Sequence, residues 1–118
     1  MTSRAPLPLS LPTSEAGTKF DTDKLRYDLL PSDALEDVVG VLTYGVKKYG
    51  ASQWKGGIAW NRMFGAALRH LWAWWRGQDL DPESGQSHLA HATVNLLFLL
   101  WHRRHRQDLD NRPTDEGI

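Results

Sequence analysis

Between His70 and His91 the chain gathers three imidazoles and three carboxylates: His70, Asp79, Asp81, Glu83, His88 and His91. Neutral imidazole suits borderline divalent ions, and carboxylate oxygens complete such a shell. His88 and His91 lie one turn apart if their segment is helical, and so share a face. The run Asp79-Leu-Asp81-Pro-Glu83-Ser84 sets its acids at the mouth of that same helix, and a hairpin would bring His70 to them. Two imidazoles with one or two carboxylates would hold a divalent ion, with Zn, Co or Ni open because of the histidines. The plainer alternative is that His88, His91 and Asn95 are hydrogen-bonded packing residues between helices.

That alternative arises because His88, His91, Asn95 and His102 form a polar stripe on an otherwise apolar helix, flanked by Leu89, Val94, Leu96, Leu97 and Leu100. Arg62, Arg69 and Arg76 recur every seven residues on another helix. Their forked donors match phosphate oxygens; a solvated face, or pairing with Asp33, Glu36 and Asp37, would serve equally. Lys24 and Arg26 stand in an aperiodic charged segment from which they could reach an anion. Trp54, in the glycine-rich loop 51–59, is a candidate to stack on a nucleobase. Trp60, Trp72 or Trp75, and Trp101 are expected to plug helix and subunit interfaces.

Three helices must position these groups. Pro31-Ser32-Asp33 opens the first, with Ser32 or Asp33 as N-cap, Glu36 completing a capping box, and Gly50 as stop. Its apolar stripe reads Leu35, Val38, Val39, Leu42 and Val46. The second runs from Trp60 or Asn61 to Arg76 and ends at Gly77. The third starts between Ser84 and Ser87 and reaches Arg106. No segment alternates as a half-buried strand would. The expected fold is all-α: a small bundle of three main helices with an irregular N-terminal segment, completed by oligomerisation. Residues 1–18, rich in Pro, Ser and Thr, read as a disordered arm, 19–106 as one helical domain, and 107–118 as a polar tail.

Composition narrows the class further. The 118 residues include 41% hydrophobic side chains, no cysteine, and 14 basic against 14 acidic groups. Absent cysteine excludes a disulfide scaffold, a thiolate zinc site and a thiol nucleophile. The longest apolar run, Leu96 to Trp101, is far below the ~20 residues of a membrane span, so a soluble cytoplasmic protein is expected. A nucleic-acid binder usually carries a stronger basic excess. Arg103, Arg104 and Arg106 are followed directly by acids, and no nucleic-acid partner is expected.

Several motifs are familiar. Lys19-Phe-Asp21-x-x-Lys24-x-Arg26-x-x-Leu-Leu-Pro31, Ala34-Leu35-Glu36 and Val41-Leu-Thr-Tyr44-Gly-x-Lys47-Lys48-Tyr49-Gly50 precede Trp54, Gly57 and Arg62. Then come Ala67-Leu-Arg69-His70-Leu-Trp-Ala-Trp74-x-x-Gly77-x-Asp79-x-Asp81-x-Glu83-Ser84-Gly85-x-Ser87-His88-Leu-Ala-His91-x-x-x-Asn95. Over about residues 19–101 the chain resembles the phage-type dATP/dGTP diphosphohydrolase N-terminal domain family. The resemblance implies hydrolysis of purine deoxynucleoside triphosphates to monophosphate and pyrophosphate, in the cytoplasm of a phage host. The related MazG-like all-α pyrophosphohydrolases are oligomers that hold magnesium or manganese through Glu-x-x-Glu and Glu-x-x-Asp motifs. This chain contains neither and offers His70 and His88-x-x-His91 in their place. The roles implied are then His70, Asp81, His88 and His91 at the metal, and Lys24, Arg26, Arg62 and Arg69 at phosphates. Asn95 would orient a ligand or water, Glu83 would act as base, and a dimer or tetramer is expected. The competing expectation is a non-catalytic helical phage protein that binds a nucleotide or a protein partner.

Overall fold

The computed structural model describes residues 23–51 and 53–114. The N-terminal arm read from residues 1–18, and Lys19 to Asp21, lie outside that range. The chain divides into two units, Met1–Leu30 and Pro31–Ile118. In the first, the described part holds a single 3-10 turn, Tyr27–Leu29, beside which Arg26 forks onto Asp28 at 2.8 and 2.9 Å.

The second unit is all-α, as the sequence implies, with helices α1 (Ser32–Tyr49), α2 (Trp60–Trp75) and α3 (His88–His105). Short 3-10 turns, Gln53–Gly56 and Gln107–Leu109, follow α1 and α3. α1 begins one residue earlier than a Ser32 or Asp33 cap would allow. Pro31 occupies the cap position at φ −72°, and its carbonyl accepts the first helical bond from Leu35 N–H at 3.0 Å. The proline ring presets that φ and has no N–H to satisfy, so the capping box does not form; Asp33 Oδ1 instead accepts from Ala34 N–H. Lys47 and Lys48 complement the dipole in the last turn, and Gly50 (φ 94°) ends the helix.

α2 ends in a Schellman turn. Gly77 (φ 100°) donates to the Trp74 carbonyl and Gln78 to the Ala73 carbonyl. The chain then makes a tight excursion closed by one antiparallel bridge, Leu80 to Ser87. Asp81 N–H bonds the Gln86 carbonyl and His88 N–H the Asp79 carbonyl, so residues 81–86 form a closed loop over the start of α3. Ser87 caps α3 by accepting from Ala90 N–H at 3.2 Å.

The closest helix pair is α2 with α3, and α1 packs on the other side of α3. Small buried residues, Ala67 on α2 with Ala90 and Ala92 on α3, keep side-chain bulk out of the packed faces, and Trp60 and Met63 fill the rest of the α2 core. Against α1 the core is Val38, Val41, Ala90 and Val94, with Leu42 and Phe98 packed on it. The buried stripe of α1 is therefore narrower than its sequence suggests. Leu35, Val39 and Val46 are 41%, 51% and 49% exposed.

Past α3 the chain turns back. Trp60 Nε1–H donates to the Arg106 carbonyl, and Asn61 and Asn111 exchange two hydrogen bonds of 2.8 and 3.0 Å. Arg106 and Asn111, the latter in the stretch from 107 expected to be a polar tail, thus tie the end of α3 to the start of α2. Gly57 (φ 106°) permits this closure, since a Cβ there would meet the Arg106 guanidinium. Trp72 and Trp75 do not plug the helix interfaces of this chain; they are 56% and 71% exposed, along with Phe64 and Leu68 on the same face of α2. No helix among the described residues is long and apolar enough to cross a membrane.

Candidate functional site

At the Gln78–His88 end of the α2–α3 hairpin, His70, Asp81 and His88 each offer a ligand atom within 4.8 Å of the others. α2 brings His70 on its penultimate turn, the closed loop brings Asp81, and α3 brings His88 at its first residue. His70 Nδ1 and His88 Nδ1 are 2.8 Å apart, and His70 Nδ1 is 3.8 Å from Asp81 Oδ2.

For His88 and Asp81 a second partner leaves the inward-facing atom available. His88 Nε2–H donates to Gln78 Oε1 at 2.8 Å, which leaves Nδ1 as the nitrogen facing His70. The Schellman turn places Gln78 for this contact. Asp81 Oδ1 accepts from the backbone N–H groups of Glu83 and Ser84 at 2.7 and 3.2 Å, while Oδ2 faces His70. A carbonyl that anchors the far nitrogen of a ligating imidazole is the usual outer support of a metal site.

Electrostatics favour the ligand forms. Burial, reinforced by the neighbouring His91 and His88, holds His70 below its ordinary range, with Asp81 opposing. Burial also lowers His91, again against Asp81. For Asp81 burial pushes upward, but the two loop N–H groups and the nearby imidazoles outweigh it and the carboxyl stays ionised. Neutral imidazoles and a charged carboxylate are the states a cation requires.

The donor set fits a divalent ion. Tetrahedral bonds of about 2.05 Å to two nitrogens separate them by roughly 3.3 Å, so the 2.8 Å His70–His88 contact must open by about half an ångström. His70 is only partly buried, so the adjustment takes place at the edge of the packed core. Two nitrogens and one oxygen suit Mn, Co or Zn better than Mg, which prefers oxygen ligands.

The remaining sequence candidates fall elsewhere. His91 stands outside the three-residue cluster. Its ring stacks flat on His70 (centroids 4.5 Å, planes 7° apart), and its Nε2 is 2.6 Å from Ser84 Oγ. Asn95 Nδ2 donates back to the His91 carbonyl of its own helix. The exposed Glu83 side chain is ion-paired with Lys48 of α1, which holds its carboxyl below the ordinary range. Arg62 and Arg69 are exposed on α2, and neither makes an ion pair among the described residues, with Asp33, Glu36 and Asp37 or otherwise. Lys24 and Arg26 belong to the first unit, where Arg26 is engaged by Asp28.

Trp54, expected to meet a base, stacks on Phe98 (4.5 Å, 16°) and takes the edge of Trp101 at 4.8 Å. These contacts take up part of its aromatic surface, and the side chain is partly buried. Gln78, Ser84 and Tyr44 are the supporting residues that the spacing of histidines and acids did not reveal. Tyr44 meets His91 edge-on at 6.5 Å. The available signal for Gln78 was its place one residue past the Gly77 helix stop, where the chain turns toward the next helix.

A family model described as "dATP/dGTP diphosphohydrolase, N-terminal" matches residues 14–112. A dATP/dGTP diphosphohydrolase of Salmonella phage PMBT28 is 36% identical over 100 residues, which make up 85% of this chain and 32% of that protein. The chain thus spans about a third of the length of this relative. No solved structure matches. With nearly all of its helical unit inside the matched range, and with the motifs that carry the resemblance inside it too, the chain belongs to the dATP/dGTP diphosphohydrolase N-terminal domain family.

Proposed function

We propose that this chain hydrolyses dATP and dGTP to the monophosphate and pyrophosphate, using a divalent cation held by His70, Asp81 and His88. The observation that carries this reading is the convergence of those three ligand atoms, in a family described by that activity. A cation bound there would neutralise charge on the phosphoryl oxygens and lower the barrier to attack at the α-phosphorus.

The chain's own groups do the rest. Arg69 stands next to His70 in sequence and has no competing carboxylate among the described residues, so its fork is free for phosphate oxygens, with Arg62 two turns earlier on the same stripe. Glu83 takes the proton of the attacking water, at a basicity reduced by Lys48. His91, fixed between Ser84 and His70, holds the His70 ring in place, and Asn95 steadies that turn of α3. The exposed apolar stripe Phe64, Leu68, Trp72 and Trp75 is the surface through which two or more copies associate.

Pyrophosphate release from each deoxynucleoside triphosphate, measured with Mg²⁺, Mn²⁺ and Co²⁺, tests the proposal. Release from dATP and dGTP, stronger with Mn²⁺ or Co²⁺ and lost in His88→Ala, is expected. No release from any substrate with any of these ions would remove it, and would favour a binding protein.

A further inference from the structure

A second concavity lies beside the histidine cluster and has no role so far. It is a groove of about 620 Å³ between α1, from Ser32 to Lys47, and the Ser84–Gln86 stretch of the loop, with Leu35, Val39, Gly40, Tyr44, Ser84 and Gln86 among its lining. That volume lies within the roughly 300–1,000 Å³ typical of small-molecule sites. The two apolar members, Leu35 and Val39, belong to the stripe expected to be core and are instead open to solvent.

Three features give the groove chemistry. The Gln86 carboxamide makes no hydrogen bond among the described residues, although its backbone N–H and carbonyl are both used. It lies across Gly40 of α1, where an added Cβ would come within 2.8 Å of Gln86 Oε1. Glycine weakens a helix interior relative to alanine, and here the missing Cβ is what lets Gln86 Oε1 come this close to the helix. Finally, side-chain contacts link the groove to the cluster. Ser84 and Tyr44 line it, Ser84 Oγ meets His91 Nε2 at 2.6 Å, and His91 is one ring layer, 4.5 Å, from His70.

From these we infer that the groove receives the purine base of the nucleotide, laid against Leu35 and Val39, with the Gln86 carboxamide reading its edge. An amide presents one donor and one acceptor side by side and pairs in bidentate fashion with adenine N6–H and N7. Turned over, it offers its N–H to guanine O6 and its carbonyl to guanine N1–H. One side chain thereby accepts both purines, whereas cytosine and thymine, with a single ring, do not span from the apolar wall to the amide. This assignment rests on the proposed function for the position of the phosphates, which would extend past Ser84 toward His70.

Deoxynucleoside monophosphates test the groove apart from turnover, because they keep the base and have no anhydride to cleave. Calorimetric titration of the full chain with dAMP, dGMP, dCMP and dTMP is expected to show purine preference. Gln86→Ala should weaken dAMP and dGMP binding about tenfold or more and erase the preference, because it removes a bidentate pair. Gly40→Leu should abolish purine binding by filling the groove, and Co²⁺ binding, read from its visible absorption, should be unchanged in both variants. If Gly40→Leu does not fold, Gln86→Ala decides alone. Unchanged purine affinity in folded Gln86→Ala, equal weakening for all four nucleotides, or no saturable binding by the wild-type chain would each overturn the inference. Gln86-dependent purine binding without pyrophosphate release from any triphosphate would leave the groove standing and remove the hydrolase reading. Pyrophosphate release with purine KM unaffected by Gln86→Ala would do the reverse.

Discussion

His88 and His102 sit on one helix, fourteen residues apart, in the same polar stripe, and the two ends of α3 use them differently. His102 is 0% exposed, and both its nitrogens are committed to backbone: Nδ1–H donates to the Phe98 carbonyl at 2.7 Å, and Nε2 accepts from Ile58 N–H at 3.1 Å. Nothing is left over for a ligand. His88 is nearly as buried, at 5% exposure, yet its partners are side chains that can move: Gln78 on one nitrogen, His70 on the other. A histidine locked between two main-chain groups fixes a fold, whereas one anchored at a single nitrogen by a neutral amide keeps a lone pair for chemistry. The number of backbone partners, not burial, separates the two.

Exchanging each histidine for alanine should divide the two ends cleanly. His88→Ala is expected to cut pyrophosphate release at least ~100-fold, the scale of losing several kcal/mol of cation-derived stabilisation. Its melting temperature should move much less than that of His102→Ala. His102→Ala strands a buried Ile58 N–H and leaves a cavity, so chemical denaturation should show a loss of about 2–4 kcal/mol. Co²⁺ affinity of the folded fraction should be that of wild type. Reversal of this pattern, with His102 governing metal affinity, would break the distinction.

Two further substitutions sharpen it. Gly57→Ala, at the His102 end, forces a side chain into a left-handed backbone and against Arg106. Urea unfolding should show a loss of about 1–3 kcal/mol with no change in metal affinity. Gln78→Ala, at the other end, should lower Co²⁺ affinity by roughly 10- to 100-fold while urea unfolding shifts little, as expected for an outer support of a ligating imidazole.

The helices were legible because apolar spacing and Gly or Pro punctuation are local signals. The departures have non-local causes. Pro31 took the cap from Ser32 and Asp33 through its fixed φ, and Leu35, Val39 and Val46 stayed open because, among the described residues, α1 packs on α3 through Val38, Val41 and Leu42. At the site, spacing gathered His70, Asp81, His88 and His91 into one neighbourhood, and the ligand atoms of the first three lie within 4.8 Å of one another. It could not say that His91 would lie flat on His70, that Lys48 would hold Glu83, or that Trp54 would find Phe98. Each of those pairings joins separate elements, and the contact of His102 with Ile58 spans 44 positions. Periodicity along one helix carries no information about which loop folds over it.

Anomalous diffraction from crystals grown with Mn²⁺ or Co²⁺ is the most direct check on the His70–Asp81–His88 centre. A peak is expected about 2.0–2.2 Å from His70 Nδ1, His88 Nδ1 and Asp81 Oδ2, with His102 still bonded to Ile58 and Phe98. A map with no peak there, and the His70–His88 contact still closed at saturating ion, would contradict it.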